Sequence, residues 1–181
     1  QAQFLLALVS DRLTTEVPTE FVGNYPKVTD YEPVDAMTAA TQQALDYIDW
    51  NASERPDQPF FLYFTSVANH VPMVPSPEFI GQSSVGVYGD FVMQTDAAVG
   101  EIVAKIAEHG LLEDTLIIFT SDNGSHGLGG NGSLEEFPEG SVHTLYGHKP
   151  NGDWRGYKGS VWEGGHRVPF IANWPGHIQP D

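Results

Sequence analysis

An Asp-Asn pair is the first feature of this sequence whose residue types suggest chemistry. Asp122 and Asn123 directly follow a β-rich run at residues 115–120, and Gly124 comes next. Their side-chain oxygens are hard ligands of the kind that Ca²⁺ and Mg²⁺ bind, and glycine permits the turn that would bring both onto one ion. Asp-Asn-Gly is also a common turn sequence. The pair alone therefore leaves a metal site and a plain turn both open.

Two further side chains could act on an anion. His70 lies in a proline-rich segment, residues 69–77, which follows the run Phe-Phe-Leu-Tyr-Phe at residues 60–64. Lys158 lies in a glycine-rich segment, residues 155–169, which contains three of the eight basic residues of the chain. In an acidic protein such a cluster favours an anion-binding pocket. Taken singly, His70 is equally consistent with a surface residue and Lys158 with a solvated lysine.

The sequence around these side chains predicts an α/β fold. Apolar residues spaced by three and four predict helices over residues 35–50 and 88–109, and Gly110 is suited to a left-handed cap on the second. Strands that alternate with helices along the chain favour a mostly parallel sheet with helices on its faces. Such sheets bind ligands beyond the carboxyl ends of their strands, where His70 and Asp122 lie. Buried strands are predicted at residues 3–9, 60–64 and 115–120, and a further strand at residues 168–174.

Composition excludes several functions. The 181 residues include 8 basic and 24 acidic ones, a net charge of −16 with neutral His, and the basic residues form no stripe. Nucleic acid and anionic membrane surfaces are therefore not expected as partners. No apolar run reaches the roughly 18 to 20 residues of a membrane helix. The absence of cysteine excludes disulfides and a Cys nucleophile from this chain. No repeat or linker divides residues 1–181, which are expected to form a single domain.

Five short motifs stand in order along the chain. They are Pro-Phe-Phe-Leu-Tyr-Phe leading to His70, Asp-Ala-Ala-Val-Gly at residues 96–100, Leu-Ile-Ile-Phe-Thr-Ser-Asp-Asn-Gly at 116–124, Arg-Gly-Tyr-Lys-Gly at 155–159, and Trp-Glu-Gly-Gly-His-Arg-Val-Pro at 162–169. In order and spacing the chain resembles the arylsulfatases, type I sulfatases of the alkaline phosphatase superfamily. The resemblance runs from about Asp35 to Asp181.

The resemblance implies an alkaline-phosphatase-like fold and hydrolysis of sulfate esters. Asp122 and Asn123 match the second pair of calcium ligands of the family. Lys158 matches the lysine that contacts the sulfate, and His70 matches the histidine that donates to the sulfate or leaving-group oxygen. The implied cofactors are Ca²⁺, in preference to Mg²⁺, and a formylglycine nucleophile. The chemistry explains these residue types, because sulfuryl transfer develops negative charge that cations and a proton donor stabilise.

The stretch before Lys158 is where members of the family vary their substrate contacts. We therefore expect the substrate pocket to draw on His143, His148, Asn151, Trp154 and Arg155. Arg167 and His166 are predicted to be structural, with Glu163 as a possible partner of Arg167. His126 is predicted to be a solvated loop residue.

The sequence lacks three features of the family. It contains no Cys or Ser in the pattern Cys/Ser-x-Pro-x-Arg, which provides the formylglycine, and it lacks the paired aspartates and the Lys-x-His segment. In the family all three stand upstream of the residue that matches His70. We therefore expect residues 1–181 to be the middle to C-terminal part of a sulfatase catalytic domain, an incomplete sheet that alone turns over little or nothing.

Two alternatives remain open from the sequence. One is a phosphatase or phosphonate ester hydrolase of the same superfamily, and the other is a non-catalytic binding or structural piece. The expected partner is a sulfated small molecule or a sulfated glycan, and the sequence gives no oligomeric state. The acidic, cysteine-free composition and the resemblance together suggest a periplasmic or extracellular protein.

Overall fold

The computed structural model describes residues 32–126 and 141–180 and, before them, the backbone of four short strands. These strands form two antiparallel pairs. β1 (Val9–Ser10) pairs with β2 (Leu13–Thr14), and β3 (Glu20–Val22) pairs with β4 (Tyr25–Lys27). The strand predicted for residues 3–9 lies outside the described residues except at its last position.

Two long helices form the best-packed part of the chain. The helices predicted from apolar spacing are confirmed as α1 (Ala36–Glu54) and α2 (Gly86–Glu108). The predicted cap at Gly110 is also confirmed, because its φ is 70° and the next residue, Leu111, donates its N–H back to the carbonyl of Ile106 at 3.0 Å.

A small apolar core joins the two helices. Met37 of α1 packs with Phe91 and Ala98 of α2, and the three side chains are 1–3% exposed. Three partly buried residues from the segment between the helices pack against this cluster: Phe64, Ala68 and Met73. The loop that contains His70 is therefore anchored to the helices on both sides of that residue.

Buried polar side chains of α2 hold the segment that precedes it. The carboxylate of Asp90, which is 2% exposed, accepts the N–H groups of Gly81 at 2.9 Å and Ser83 at 2.7 Å. The amide of Gln94 accepts the N–H of Ser76 at 2.9 Å and donates to its hydroxyl at 2.7 Å. These bonds satisfy polar groups that would otherwise be buried without partners.

Ion pairs join the far end of the helix pair. The Oδ1 atom of Asp49 lies 2.6 Å from Nε2 of His109 and 3.3 Å from Nζ of Lys105. The hydrogen bond from His109 is the main cause that lowers the pKa of Asp49 below its ordinary value, and Lys105 adds to the effect.

One strand pair lies beside the loops that matter for function. β5 (Ile117–Thr120) pairs with β6 (Phe170–Asn173) in antiparallel register, with Ile117 opposite Asn173 and Thr120 opposite Phe170. The predicted strands at residues 115–120 and 168–174 are thus confirmed with narrower bounds. Within the described residues the sheet contains only this antiparallel pair, and the mostly parallel sheet stays a prediction.

The burial predicted for residues 60–64 and 115–120 is wrong in the described structure. Residues 60–64 form no strand, and Phe61 and Tyr63 are 85% and 78% exposed. In β5, Ile118 is 51% exposed. The physical reason is that an extended chain directs alternate side chains to opposite faces, and no other described element covers the outward face.

Two short helices lie between β5 and β6. α3 (Val142–Tyr146) begins after Ser141, whose hydroxyl accepts the N–H of Thr144, and α4 (Glu163–His166) precedes β6. Residues 127–140, which lie between β5 and α3, are outside the described residues. Among the described helices, none combines the length and apolarity needed to cross a membrane.

Candidate functional site

The site is organised around the loop that leaves β5. Its first turn is closed locally, because the hydroxyl of Ser121 donates to the carbonyl of Asn123 at 2.9 Å. The side-chain amide of Asn123 donates to the carbonyl of Gly124 at 3.0 Å. The turn expected of Asp-Asn-Gly is therefore present, with Asp122 exposed and Asn123 partly buried.

Close contact between glycines fixes this loop against α4. The N–H of Gly124 donates to the carbonyl of Gly165 at 3.0 Å. A Cβ atom at position 124 would stand 1.8 Å from the carbonyl oxygen of Gly164, so no larger residue fits there without movement of the backbone. The glycines of Trp-Glu-Gly-Gly-His-Arg-Val-Pro thus serve to let two backbones approach.

Asn151 and the backbone of Lys158 attach a third segment to the same loop. The Oδ1 atom of Asn151 accepts the N–H of Ser125 at 2.8 Å, and its Nδ2 donates to the carbonyl of Gly156 at 3.1 Å. The N–H of Lys158 donates to the carbonyl of Ser125 at 3.1 Å. The backbone of Lys158 is therefore bonded to Ser125, which lies two positions after Asn123, although Lys158 and Asn123 are 35 positions apart in the sequence.

His70 reaches this cluster from the proline-rich loop. Its Nδ1 atom lies 2.8 Å from the carbonyl oxygen of the next residue, Val71, which fixes the ring orientation. The ring centroid lies 6.3 Å from that of His126, with the two planes tilted by 48°. Two segments that are distant in sequence thus bring their imidazoles together.

His126 is the site residue that the sequence interpretation missed. The prediction of a loop residue is confirmed, but the prediction that it is solvated holds only in part, because the residue is partly buried and its Nδ1 atom is fully buried. Burial lowers the pKa of His126, and the positive charges of His70 and Lys158 lower it further. That coupling places all three residues in one electrostatic neighbourhood. Its position in Asp-Asn-Gly-Ser-His, close behind a strand end, was the signal available in the sequence.

The donor set beside this neighbourhood fits a hard cation in part. Asp122 offers a carboxylate and Asn123 an amide oxygen, which are ligand types that Ca²⁺ accepts. Within residues 32–126 and 141–180, no group of three or more His, Cys, Asp or Glu side chains is placed to hold a metal ion. Among the described residues, Asp122 and Asn123 are thus two candidate ligands, and a complete site would need further ligands.

The structure brings one of the five expected substrate-pocket residues to the site. Asn151 contacts the site loop as a structural bridge. The ring of His148 instead lies 6.0 Å from that of Tyr88 at the start of α2. His143 lies in α3 and is partly buried. Contact with a substrate stays a prediction for all five residues.

The other two expected pocket residues take part in cation–π contacts. The guanidinium of Arg155 lies 3.9 Å from the ring centroid of Trp162, and that of Arg167 lies 4.0 Å from the ring centroid of Trp154. Arg167 also pairs with Glu163 at 3.2 Å, which confirms the predicted partner. These contacts brace the segment on either side of Lys158.

Comparison with known proteins gives a consistent family. A family model described as Sulfatase matches residues 12–181. An N-acetylgalactosamine-6-O-sulfatase of Bacteroides thetaiotaomicron is 40% identical over 125 residues, which are 69% of this chain and 23% of that protein. Steryl-sulfatase of Rattus norvegicus is 36% identical over 174 residues, 96% of this chain and 26% of the relative. Arylsulfatase A of Homo sapiens is 41% identical over 128 residues, 71% and 22% of the two chains.

Solved structures agree with this result. A structure determined for work on glycosaminoglycan metabolism by Bacteroides thetaiotaomicron matches with a TM-score of 0.70 and 32% identity, covering 88% of this chain and 33% of the other. A sulfatase from Pseudoalteromonas sp. matches with a TM-score of 0.65 and 32% identity, covering 80% and 26%. The chain spans 22–26% of the length of the three curated relatives above. Since the family model matches nearly the whole chain, the chain belongs to the sulfatase family.

Proposed function

We propose that the protein hydrolyses sulfate monoesters and that this chain supplies part of the site that binds the sulfate group. The observation that supports the proposal is the convergence of three distant segments. The backbone of Lys158 is bonded to Ser125, close behind Asn123, and the ring of His70 lies beside that of His126. The segments that carry Lys158 and His70 thus meet the loop that carries Asp122 and Asn123.

The reaction adds water across the ester, breaks the S–O bond and yields an alcohol and sulfate. The ammonium group of Lys158 would pair with a sulfate oxygen, since it is a compact point charge. His70 would donate a proton to the oxygen of the departing alcohol, because imidazole titrates near neutrality. Both interactions strengthen as negative charge develops in the transition state.

Asp122 and Asn123 are the residues of this chain that would hold a Ca²⁺ ion. When bound, such an ion acts as a Lewis acid and a template for the sulfate oxygens. Calorimetry tests the assignment: Asp122→Ala should weaken Ca²⁺ binding, whereas Asp153→Ala, at another exposed carboxylate, should not. Calcium affinity that does not respond to Asp122→Ala would remove Asp122 from the site.

We further propose that turnover and the complete fold require residues beyond these 181. The chain contains no cysteine and no Ser-x-Pro-x-Arg, so it has no candidate for the formylglycine of the family. The exposed side chains of Phe61, Tyr63 and Ile118 support a larger, mostly parallel sheet whose faces are covered by further elements. The 181-residue chain, incubated with an aryl sulfate and Ca²⁺, should show no turnover above that of its His70→Ala, Lys158→Ala double variant.

Binding of a sulfate ester to the 181-residue chain tests the proposed function directly. Calorimetry with 4-nitrophenyl sulfate should show binding that weakens about tenfold in Lys158→Ala, because a charge-assisted contact is lost. Lys149→Ala is the matched control, since Lys149 pairs with Asp153 on the surface. Equal affinity of the wild type and Lys158→Ala would contradict the role of Lys158. Tighter binding of 4-nitrophenyl phosphate would favour the phosphatase alternative.

A further inference from the structure

Three buried polar atoms lack a hydrogen-bond partner in the part of the chain that the structure describes. They are Oδ1 of Asn69, Nδ1 of His126 and Oγ of Ser160. Each lies on a segment that contributes to the site, since Asn69 precedes His70 and Ser160 lies two residues beyond Lys158. A buried polar atom without a partner is costly, and proteins leave few of them. Unpartnered atoms on three segments of the site suggest that a ligand completes it.

His126 is the most informative of the three. Its backbone neighbour Ser125 is bonded on one side to Asn151 and on the other to Lys158, so the ring stands on a fixed loop. Its ring lies 6.3 Å from that of His70. The positions of these groups are thus set by the fold before any ligand arrives.

The environment of His126 disfavours the charged form of its imidazole. Burial is the largest cause that lowers the pKa of His126, and the charges of His70 and Lys158 lower it further. A neutral imidazole has one N–H donor and one lone pair. In that form it adds a hydrogen bond to the site without adding a positive charge.

We propose that His126 is a substrate-binding residue whose Nδ1–H donates a hydrogen bond to an oxygen of the sulfate ester held between His70 and Lys158. The inference rests on the proposed function. The direction of the bond follows from the ligand, because the oxygens of a sulfate monoester only accept hydrogen bonds. Lys158 then supplies charge and His70 a proton, whereas His126 fixes the position of the ester.

Nuclear magnetic resonance on the 181-residue chain, labelled with ¹⁵N-histidine, tests the contact without requiring turnover. Titration with 4-nitrophenyl sulfate should shift the Nδ1 resonance of His126 saturably, with the same Kd that calorimetry gives. The exposed ring of His177, which packs on Trp174, should not respond.

Substitutions separate the two ring nitrogens. His126→Ala should weaken binding about tenfold, the loss expected for one hydrogen bond to a charged ligand. His126→Asn places an amide nitrogen where Nδ1 stands and should retain affinity within about threefold. His126→Gln places it near the Nε2 position and should resemble the alanine variant. His177→Asn is the matched control with unchanged affinity.

The outcomes distinguish this inference from the proposed function. Ester binding that shifts His70 but leaves the His126 resonance and the affinity of His126→Ala unchanged would overturn the inference alone. Failure of the wild-type chain to bind the ester would overturn both. If His126→Ala does not fold, the wild-type titration and the difference between His126→Asn and His126→Gln still show whether His126 contacts the ester.

Discussion

The helix pair and the site loops are stabilised in different ways. α1 and α2 bury a compact apolar cluster of Met37, Phe91 and Ala98. Among the described residues, the site loop shows no such cluster. Gly124 instead contacts the backbone of α4, and Asn151 and the backbone N–H of Lys158 hold its next residues. One region is fixed by side-chain packing, and the other by backbone contacts between distant segments.

The difference shows which part of the chain can stand alone. A helix satisfies its backbone internally and needs a partner only for its apolar stripe, and each of the two helices provides that partner for the other. The site loops depend on hydrogen bonds between residues up to 41 positions apart, as between Gly124 and Gly165. Mutations should therefore affect the two regions separately.

The largest expected effect is a cavity in the helix pair. Phe91→Ala should lower the free energy of unfolding by about 3–5 kcal/mol, because a fully buried aromatic side chain is lost from the cluster. Urea titration followed by circular dichroism at 222 nm measures it. Val92→Ala, at the neighbouring position that is 39% exposed, is the control and should cost less than about 1 kcal/mol. Equal losses in the two variants would show that the helices do not form the stable part of the chain.

The next effect is a clash in the site. Gly124→Ala should cost about 1–3 kcal/mol, because the added Cβ would meet the carbonyl of Gly164 and force the two backbones apart. Gly100→Ala in α2 is the matched control, since no atom lies within 4 Å of its added Cβ. It should stabilise the chain by about 0.5–1 kcal/mol, the difference in helix propensity. Stability that falls in both variants, or in neither, would refute the contrast between the regions.

A smaller effect is expected from the bridge at Asn151. Asn151→Ala should cost about 1–2 kcal/mol, because it removes two hydrogen bonds from partly buried backbone groups. Amide hydrogen exchange should show the loss locally, as faster exchange at Ser125 with unchanged exchange in α1 and α2. Asn173→Ala, which shortens an exposed side chain, is the control and should leave exchange at Ser125 unchanged. Slower or unchanged exchange at Ser125 would mean that the bridge does not hold the loop.

The same contrast explains what the sequence could predict. Both helices and the cap at Gly110 were predictable because helix periodicity and capping are local signals. Asp122, Lys158 and His70 were predictable as a group only through the family motifs. The exposure of Phe61 and Tyr63 was not predictable, because the exposure of an apolar segment depends on which neighbouring elements are present. His126 was missed because its neighbour in the site, His70, comes from a distant part of the sequence.

The smallest expected effect is a difference in the pH at which the two regions lose stability. The folded pKa of His126 is lowered from its ordinary value of 6.5 by burial and by His70 and Lys158. The unfolded chain therefore binds more protons, and stability present above pH 6.5 is lost as the pH falls toward the folded pKa. The pKa of Asp49 is lowered from 3.8, chiefly by its hydrogen bond with His109, so its contribution is lost only below that pH.

Acidification should thus loosen the site before the helix pair. Between pH 6.5 and 4, the amide of Ser125 should exchange faster while the ellipticity at 222 nm stays constant. His126→Asn, which does not titrate in this range, should remove the early change and leave the later one, because Asp49 is unaffected. A single transition seen by both measurements, at the same pH in the wild type and the variant, would mean that the site and the helices unfold as one unit. Two transitions would show that the backbone contacts of the site form a separate, weaker cooperative unit.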